Sequence, residues 1–381
     1  MVTQRTENLT SFIVMDVLEK AHEMERKGIH VIHLEVGEPD FDAPACVKQA
    51  MAEALEKGDT HYTHSLGMIE LREAICDHYH KQYDVTVTPD RVVVTSGTSP
   101  AMLSLFSVLI EPGDEVILSD PHYACYPNFI RFFGGKPVFI RTREQDGFQM
   151  DIREIRNHLN ERTRAIFVNS PSNPTGTLLS KENLADIASC GKTVISDEIY
   201  HGLVYEGKEH SILELTEDAF VLNGFSKLYA MTGLRLGYLI APSRYMGALQ
   251  KVQQNFFISA SAPAQRAGIA ALSNSREDTD RMRDTYDKRR RFLIDGLKKL
   301  GFAIPVEPTG AFYVMINAKR LHANSLALAY DILEKVRLGV TPGIDFGPGG
   351  EGHLRFSYAN SLENIEEGLA RLERYIADHC R

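Results

Sequence analysis

Between Phe220 and Ala241 the chain reads Phe-Val-Leu-Asn-Gly-Phe-Ser-Lys-Leu-Tyr-Ala-Met-Thr-Gly-Leu-Arg-Leu-Gly-Tyr-Leu-Ile-Ala. Lys227 follows the apolar run from Ala219 to Leu222, and Arg235 lies inside a second apolar run that resumes after Gly233. Two strands there would set an amine and a guanidinium at the mouth of one cleft. An amine condenses with an aldehyde and a guanidinium forks onto a phosphate, so the pair suits an anionic aldehyde. A surface lysine and an arginine paired to a nearby carboxylate explain the same two residues. The chemical reading therefore turns on what else converges.

Four other stretches carry residues of the right type. Gly97-Thr98-Ser99-Pro100 turns from an apolar strand into a helix, leaving N–H groups and hydroxyls at a helix N-terminus, where anions bind. Asp197 ends the run Thr193-Val194-Ile195-Ser196, which would put a carboxylate at the carboxyl edge of a parallel sheet, where ligands of such folds bind. Arg355 stands in the otherwise apolar Leu354–Tyr358, and a buried arginine needs an anionic partner. Gly37, at the end of a short apolar run, permits close backbone approach to a ligand. Gly37 and the Gly97–Pro100 stretch have a plain alternative as turns that bind nothing and Asp197 as a helix cap, and Asn173-Pro174-Thr175-Gly176 is turn chemistry first.

Phe225-Ser226-Lys227-Leu228 and Met231-Thr232-Gly233-Leu234-Arg235-Leu236-Gly237 resemble the cofactor-lysine motif of the class I/II aminotransferases. These are fold-type-I enzymes of pyridoxal 5'-phosphate (PLP), aspartate aminotransferase among them. The resemblance runs from Gly37 to Arg355 with the motifs in the family's order. It implies that Lys227 holds PLP as an imine and then moves the substrate's Cα proton. It further implies that Gly97, Thr98, Ser99 and Arg235 hold the cofactor phosphate. Tyr123 would stack on the ring, where the family commonly has tryptophan, and Asn173 and Tyr200 would reach the ring oxygen. Asp197 would pair with the ring nitrogen. Gly37, Asn173 and Arg355 would border the substrate carboxylate. Tyr62 of the partner subunit would reach the phosphate, making the enzyme a homodimer with shared active sites. Many relatives carry serine or threonine three residues before the lysine as a phosphate ligand; this chain has Gly224.

The implied activity is ping-pong transfer of an amino group from an L-amino acid to a 2-oxo acid, 2-oxoglutarate first among acceptors. A PLP-dependent C–S β-lyase uses the same scaffold, since fold and cofactor do not fix reaction class. A PLP-binding regulator is the third reading. The short N-terminal arm and acidic charge count against it.

The elements that must position these residues follow from periodicity. Strand and helix patterns alternate from Val92 onward, predicting an α/β fold whose large PLP-binding domain has a mostly parallel sheet between helices. A smaller α+β domain is expected from strands at Gly310–Ile316 and Leu354–Tyr358 with helices at Ser325–Arg337 and Leu362–His379. The expected division is 1–45 for the N-terminal arm and first part of the small domain, 46–275 for the large domain, and 276–381 for the small C-terminal domain. A helix is predicted over 11–27, a strand over Val31–Val36, and further helices between Ser243 and Gly301.

With 381 residues, 43% hydrophobic and 24% charged, the composition is that of an ordinary globular protein. A net charge of -9 argues against a nucleic-acid surface. The one basic run, Lys288–Arg291, reads as a solvated, salt-bridged helix face. Five cysteines without CxxC spacing fit reduced thiols, and no apolar leader or span of membrane length appears, so a cytoplasmic protein is expected. His61/His64 and His78/His80 lack the company of ligands, so no metal is expected. Gly347-Pro348-Gly349-Gly350-Glu351-Gly352 matches GxGxxG but precedes a strand instead of opening a helix, and so fails the dinucleotide test.

Overall fold

The computed structural model describes residues 2–379; Cys380, one of the five cysteines, lies outside them. Twelve strands are present among the described residues. In chain order they are β1 (Ile32–His33), β2 (Val92–Thr95), β3 (Glu115–Asp120), β4 (Lys136–Arg141), β5 (Thr163–Asn169) and β6 (Thr193–Asp197). They continue with β7 (Ala219–Gly224), β8 (Gly237–Ile240), β9 (Tyr313–Asn317), β10 (Leu338–Gly339), β11 (Thr341–Pro342) and β12 (His353–Ser357).

Seven strands form one sheet in the order β2-β8-β7-β6-β5-β3-β4. All neighbours are parallel except those of β8, which runs antiparallel to both β2 and β7. The central strands β6 and β7 are buried along their whole length. That is the pattern of a sheet covered by helices on both faces, and it is why these strands read as unbroken apolar runs. One face packs against a cluster including Ile75, Tyr79, Val94 and Tyr238, the other against Leu105, Phe106, Phe167 and Phe220.

The remaining strands make a three-stranded antiparallel sheet, β11-β12-β9, and a two-stranded parallel pair, β1-β10. Their core joins Leu34, Tyr286, Phe312, Ile332 and Phe356 with Tyr200 and Leu203, which follow β6. The second apolar centre is thus packed directly against the carboxyl edge of the main sheet.

Several expectations need adjusting. The strand predicted over Val31–Val36 shortens to β1: the Leu34 N–H still donates to the Gly339 carbonyl of β10, but the Leu34 carbonyl accepts from Ser357 of β12 and the Glu35 carbonyl from the side chains of Thr341 and Arg355, so the pairing with β10 ends there. The strand predicted from Gly310 begins at Tyr313, Gly310 making only an isolated bridge to Val204. Within the basic run, Lys288 and Arg291 are exposed, but Arg289 and Arg290 are buried. Arg290, 1% exposed, bonds Glu206, Asp287 at 2.8 Å and the Pro308 carbonyl at 2.7 Å, while Arg289 pairs with Asp40 at 2.7 Å. Long aliphatic stems let a basic run bury half its members when carboxylates meet the heads.

Candidate active site

The carboxyl ends of β6 and β7 set the chemistry side by side. Asp197 closes β6 and is buried; its Oδ2 accepts from the Tyr126 hydroxyl at 2.7 Å and its Oδ1 from the Ile199 N–H at 3.1 Å. Burial pushes its carboxyl up to about 6, against the pull of those two hydrogen bonds. Lys227 stands three residues beyond β7, and its Nζ donates to the Gly37 carbonyl at 2.7 Å. Burial pushes this amine down to about 8; Arg355 and Arg235 add to the shift, while Glu38 and Asp197 oppose it. Near neutrality roughly a tenth of it is therefore the uncharged nucleophile, far more than an ordinary lysine offers.

An anion cradle lies next to the lysine. The helix Thr98–Leu109 starts after Gly97, which has φ +101°, and no side chain caps it. Arg235, itself left-handed at φ 51°, lays its guanidinium against Gly97, where an added Cβ would fall 2.5 Å from Nη2. Its Nη1 donates to the Thr232 carbonyl at 2.8 Å. Gly237 packs behind, with an added Cβ 2.9 Å from the Thr98 nitrogen. Gly224 pairs across the strands with Gly237, and its own added Cβ would meet the Gly237 Cα at 2.9 Å. The glycine that departs from the family pattern is thus part of a close backbone stack that a hydroxyl-bearing side chain would force apart.

On the opposite wall Arg355, in the middle of β12, is 2% exposed. Its Nη1 donates to Asn173 Oδ1 at 2.9 Å, and its Nη2 to Thr341 Oγ1 at 3.0 Å and to the Glu35 carbonyl. Its guanidinium carbon lies 4.2 Å from the Tyr313 ring centre, and Nε has no partner. Tyr313 also bonds the Tyr200 hydroxyl at 2.8 Å and stands where any side chain at Gly37 would be, an added Cβ there falling 2.1 Å from its oxygen.

These walls enclose a cleft of about 350 Å³. Of the residues singled out in the sequence, Gly37, Thr98, Ser99, Tyr123, Asn173, Asp197, Tyr200, Lys227, Arg235 and Arg355 line it. Gly97 forms the floor under Arg235, and Tyr62 lies outside, 84% exposed. Phe12 of the N-terminal arm lines the cleft as well, and Tyr126 and Tyr313 line it without having been singled out. Tyr126 follows Tyr123 by three residues, and Tyr313 pairs with Ser357, two residues from Arg355, so helical and strand spacing held the signal. Elsewhere His22, Glu25 and His33 gather, but both ring nitrogens of His33 already face carboxylates, of Glu35 at 2.7 Å and Glu25 at 3.2 Å.

Among the described residues, Lys227, Arg235 and Arg355 have no carboxylate within ion-pair distance, yet they converge around one buried carboxylate, Asp197. Two guanidinium groups left without an anion, one of them buried with an unpaired Nε, fit a dianionic phosphate at one end and a carboxylate at the other. An amine of lowered pKa between them fits an aldehyde. The donor set therefore matches PLP and an amino acid.

Comparison with known proteins agrees. The model of the family described as aminotransferase class I and II matches residues 29–372. The chain is 41% identical over 380 residues to the (5-formylfuran-3-yl)methyl phosphate transaminase of Methanocaldococcus jannaschii, covering 99% of this chain and 100% of that one. It is 37% identical over 383 residues to the aspartate/prephenate aminotransferase of Thermus thermophilus, covering 98% of each. The solved structure of Thermus thermophilus aspartate aminotransferase with maleate superposes with a TM-score of 0.95 at 37% identity, covering 98% of this chain and 99% of that chain. Enzymes of the family use PLP. The chain belongs to the class I and II aminotransferases, and its activity is PLP-dependent transfer of an amino group.

Proposed function

We propose that this cleft moves an amino group from a neutral, largely apolar L-amino acid to a 2-oxo acid, with 2-oxoglutarate as acceptor. The observation that carries the site assignment is the set of three cations without carboxylate partners around Asp197. When bound, PLP withdraws electrons from the amino acid's Cα, so that its proton can leave. Lys227 Nζ, whose proton affinity burial lowers, would take that proton and return it on the cofactor side. Arg355 forks onto the α-carboxylate and so fixes which Cα bond points at Lys227. Asp197 holds the ring nitrogen's proton, since a nearby negative charge favours the protonated form. Thr98, Ser99 and Arg235 would hold the phosphate beside Gly97, Tyr123 would pack on the ring, and Asn173 and Tyr200 would reach the ring oxygen. In this reading residues 46–275 hold the cofactor and the flanking segments 1–45 and 276–381 close on the substrate.

The side-chain preference follows from the lining. Phe12, Val14, Leu18 and Met102 supply apolar walls, Phe12 edge-on to Tyr123 at 5.7 Å. Its three cations are committed to amine, phosphate and α-carboxylate, and no fourth cation of this chain lines the cleft among the described residues. The second carboxylate of 2-oxoglutarate would stay hydrated at the mouth, near the exposed Met15.

We also propose a homodimer in the cytoplasm. No described helix is long and apolar enough to cross a membrane. Tyr62, Phe256 and Ile258 are exposed on neighbouring segments joined by the Thr63 N–H bond to Ser259 Oγ at 3.3 Å. Such a patch fits a second copy of the chain, with Tyr62 of the partner subunit completing the phosphate site. Borohydride reduction of the holoenzyme followed by peptide mapping tests the assignment: the cofactor should be fixed to Lys227. A label on any other lysine would refute it. Light scattering in solution should give twice the 42.7 kDa chain mass.

A further inference from the structure

Directly behind Asp197 lies a buried carboxylate that the chemistry above does not use. Glu198 is fully buried, and its Oε1 accepts from Ser196 Oγ, Ser211 Oγ and the Ile212 N–H, each at 3.0 Å. Its Oε2 accepts from the Tyr79 hydroxyl at 3.2 Å and lies 3.6 Å from His201 Nδ1. The Tyr79 hydroxyl in turn accepts from Asn223 Nδ2 at 3.4 Å, and Asn223 Oδ1 accepts from the Gly224 N–H at 2.7 Å. The Glu198 N–H donates to the Leu222 carbonyl at 2.8 Å. One helix residue, Tyr79, thus joins the residue after Asp197 to the end of β7, three residues before Lys227. The turn that Glu198 begins also packs on the lysine's neighbour, since an added Cβ at Gly202 would fall 2.5 Å from Leu228.

A carboxylate with so many donors is costly to assemble, because every member must be satisfied in a buried network. Packing alone would be served as well by an apolar side chain. We propose that Glu198, braced by Tyr79 to Asn223, is a positioning residue for the reaction: it fixes the Asp197 carboxylate relative to Lys227 and adds a second negative charge to the field at the cofactor's ring nitrogen. The charged groups around it are consistent with that role. Burial pushes the Glu198 carboxyl up, while His201, the Ile212 N–H and the Ser196 and Ser211 hydroxyls favour its charged form; that charge raises the proton affinity of Asp197, and His201 lowers it. Tyr79 and Tyr83 stay protonated because burial pushes their hydroxyls well up, and Glu209 lies 3.3 Å from the Tyr83 hydroxyl, beyond His201. The inference rests on the reading of Asp197 as the partner of the ring nitrogen.

The test uses holoenzyme loaded with PLP labelled with ¹⁵N in the ring, in wild type, Asp197→Asn, Glu198→Gln and Tyr79→Phe. The ¹⁵N resonance reports protonation of the ring nitrogen, and single-turnover kinetics with an amino acid give rate and KM separately. Asp197→Asn must move the resonance toward the neutral ring; an unmoved signal there would overturn the Asp197 reading itself. With that signal in hand, Glu198→Gln should move the resonance in the same direction by a smaller amount. Both Glu198→Gln and Tyr79→Phe should slow Cα-proton transfer about 10- to 100-fold, the range a small misplacement costs, with KM nearly unchanged because Arg355 is untouched. Losses that only track a lower melting temperature, with the resonance and the rate per folded molecule unchanged, would make Glu198 merely structural and overturn the inference. Tyr79→Phe keeps the test open if Glu198→Gln does not fold.

Discussion

Replacing Arg355 by lysine keeps the charge and removes the fork. In the structure the guanidinium makes bonds to Asn173, Thr341 and the Glu35 carbonyl and stacks on Tyr313, leaving Nε without a partner. A lysine ammonium reaches one acceptor at a time and cannot stack as a plane. Losing one charge-assisted hydrogen bond to the substrate carboxylate costs about 1.5–3 kcal/mol. At 1.4 kcal/mol per factor of ten, kcat/KM should fall roughly 10- to 150-fold. The fall should be seen mainly in KM and be the same for amino acids and oxo acids of every side chain, because all present the same α-carboxylate. Steady-state assays across leucine, methionine, phenylalanine, alanine and their oxo acids measure it. A loss confined to one side chain would refute the reasoning and make Arg355 a side-chain selector.

Three further outcomes follow from the geometry. Uptake of PLP by the cofactor-free protein needs the neutral amine of Lys227, so its rate should rise with pH and level off above about 8, where this lysine has lost its proton; a rise continuing to the 10.5 of an ordinary lysine would contradict the burial argument. The same depressed pKa means that, in the cofactor-free protein, stability due to Lys227 increases between about 8 and 10.5, as the unfolded chain keeps a proton that the folded state has released; pH-dependent melts of wild type against Lys227→Met check it, and a difference that is flat or falls over that window would count against it. Gly224→Ser should not improve PLP affinity and should cost about 1–3 kcal/mol of stability, since its Cβ would press on Gly237; a tighter dissociation constant with an unchanged melting temperature would show that the strands open freely.

What the sequence disclosed was whatever local pattern encodes. Lys227, Asp197 and Arg355 each stand at the end of, or inside, an apolar run, and a polar group there is conspicuous because burial makes it costly. The central strands were legible for the same reason. β4 was not, because its residues are half-covered at the sheet edge and Pro137 breaks the apolar run. Arg289 and Arg290 misled, since a basic run looks alike whether its carboxylates lie along its own helix or on Asp40 and Glu206, far away in sequence. Tyr126 stayed hidden for a related reason. An aromatic in an apolar helix signals packing, and only the fold brings its hydroxyl 2.7 Å from Asp197. Gly224 read as a missing phosphate ligand until the pairing with Gly237 supplied its steric cause.

A direct test exists for the exchange of an amino group in two halves at this site. Enzyme loaded with PLP should be mixed with leucine, methionine, phenylalanine or aspartate without any oxo acid, following the cofactor's visible absorbance and the products. One equivalent of oxo acid per site should form, followed by arrest because the amino group has nowhere to go, with recovery of the starting spectrum on adding 2-oxoglutarate. The apolar donors should exceed aspartate in kcat/KM by about tenfold or more, the scale at which a hydrophobic pocket discriminates. Faster arrest with aspartate would overturn the side-chain reading alone. Continuous release of ammonia or a thiol from cysteine or cystathionine, with no stoichiometric arrest on any amino acid, would contradict the claim and make the enzyme a lyase.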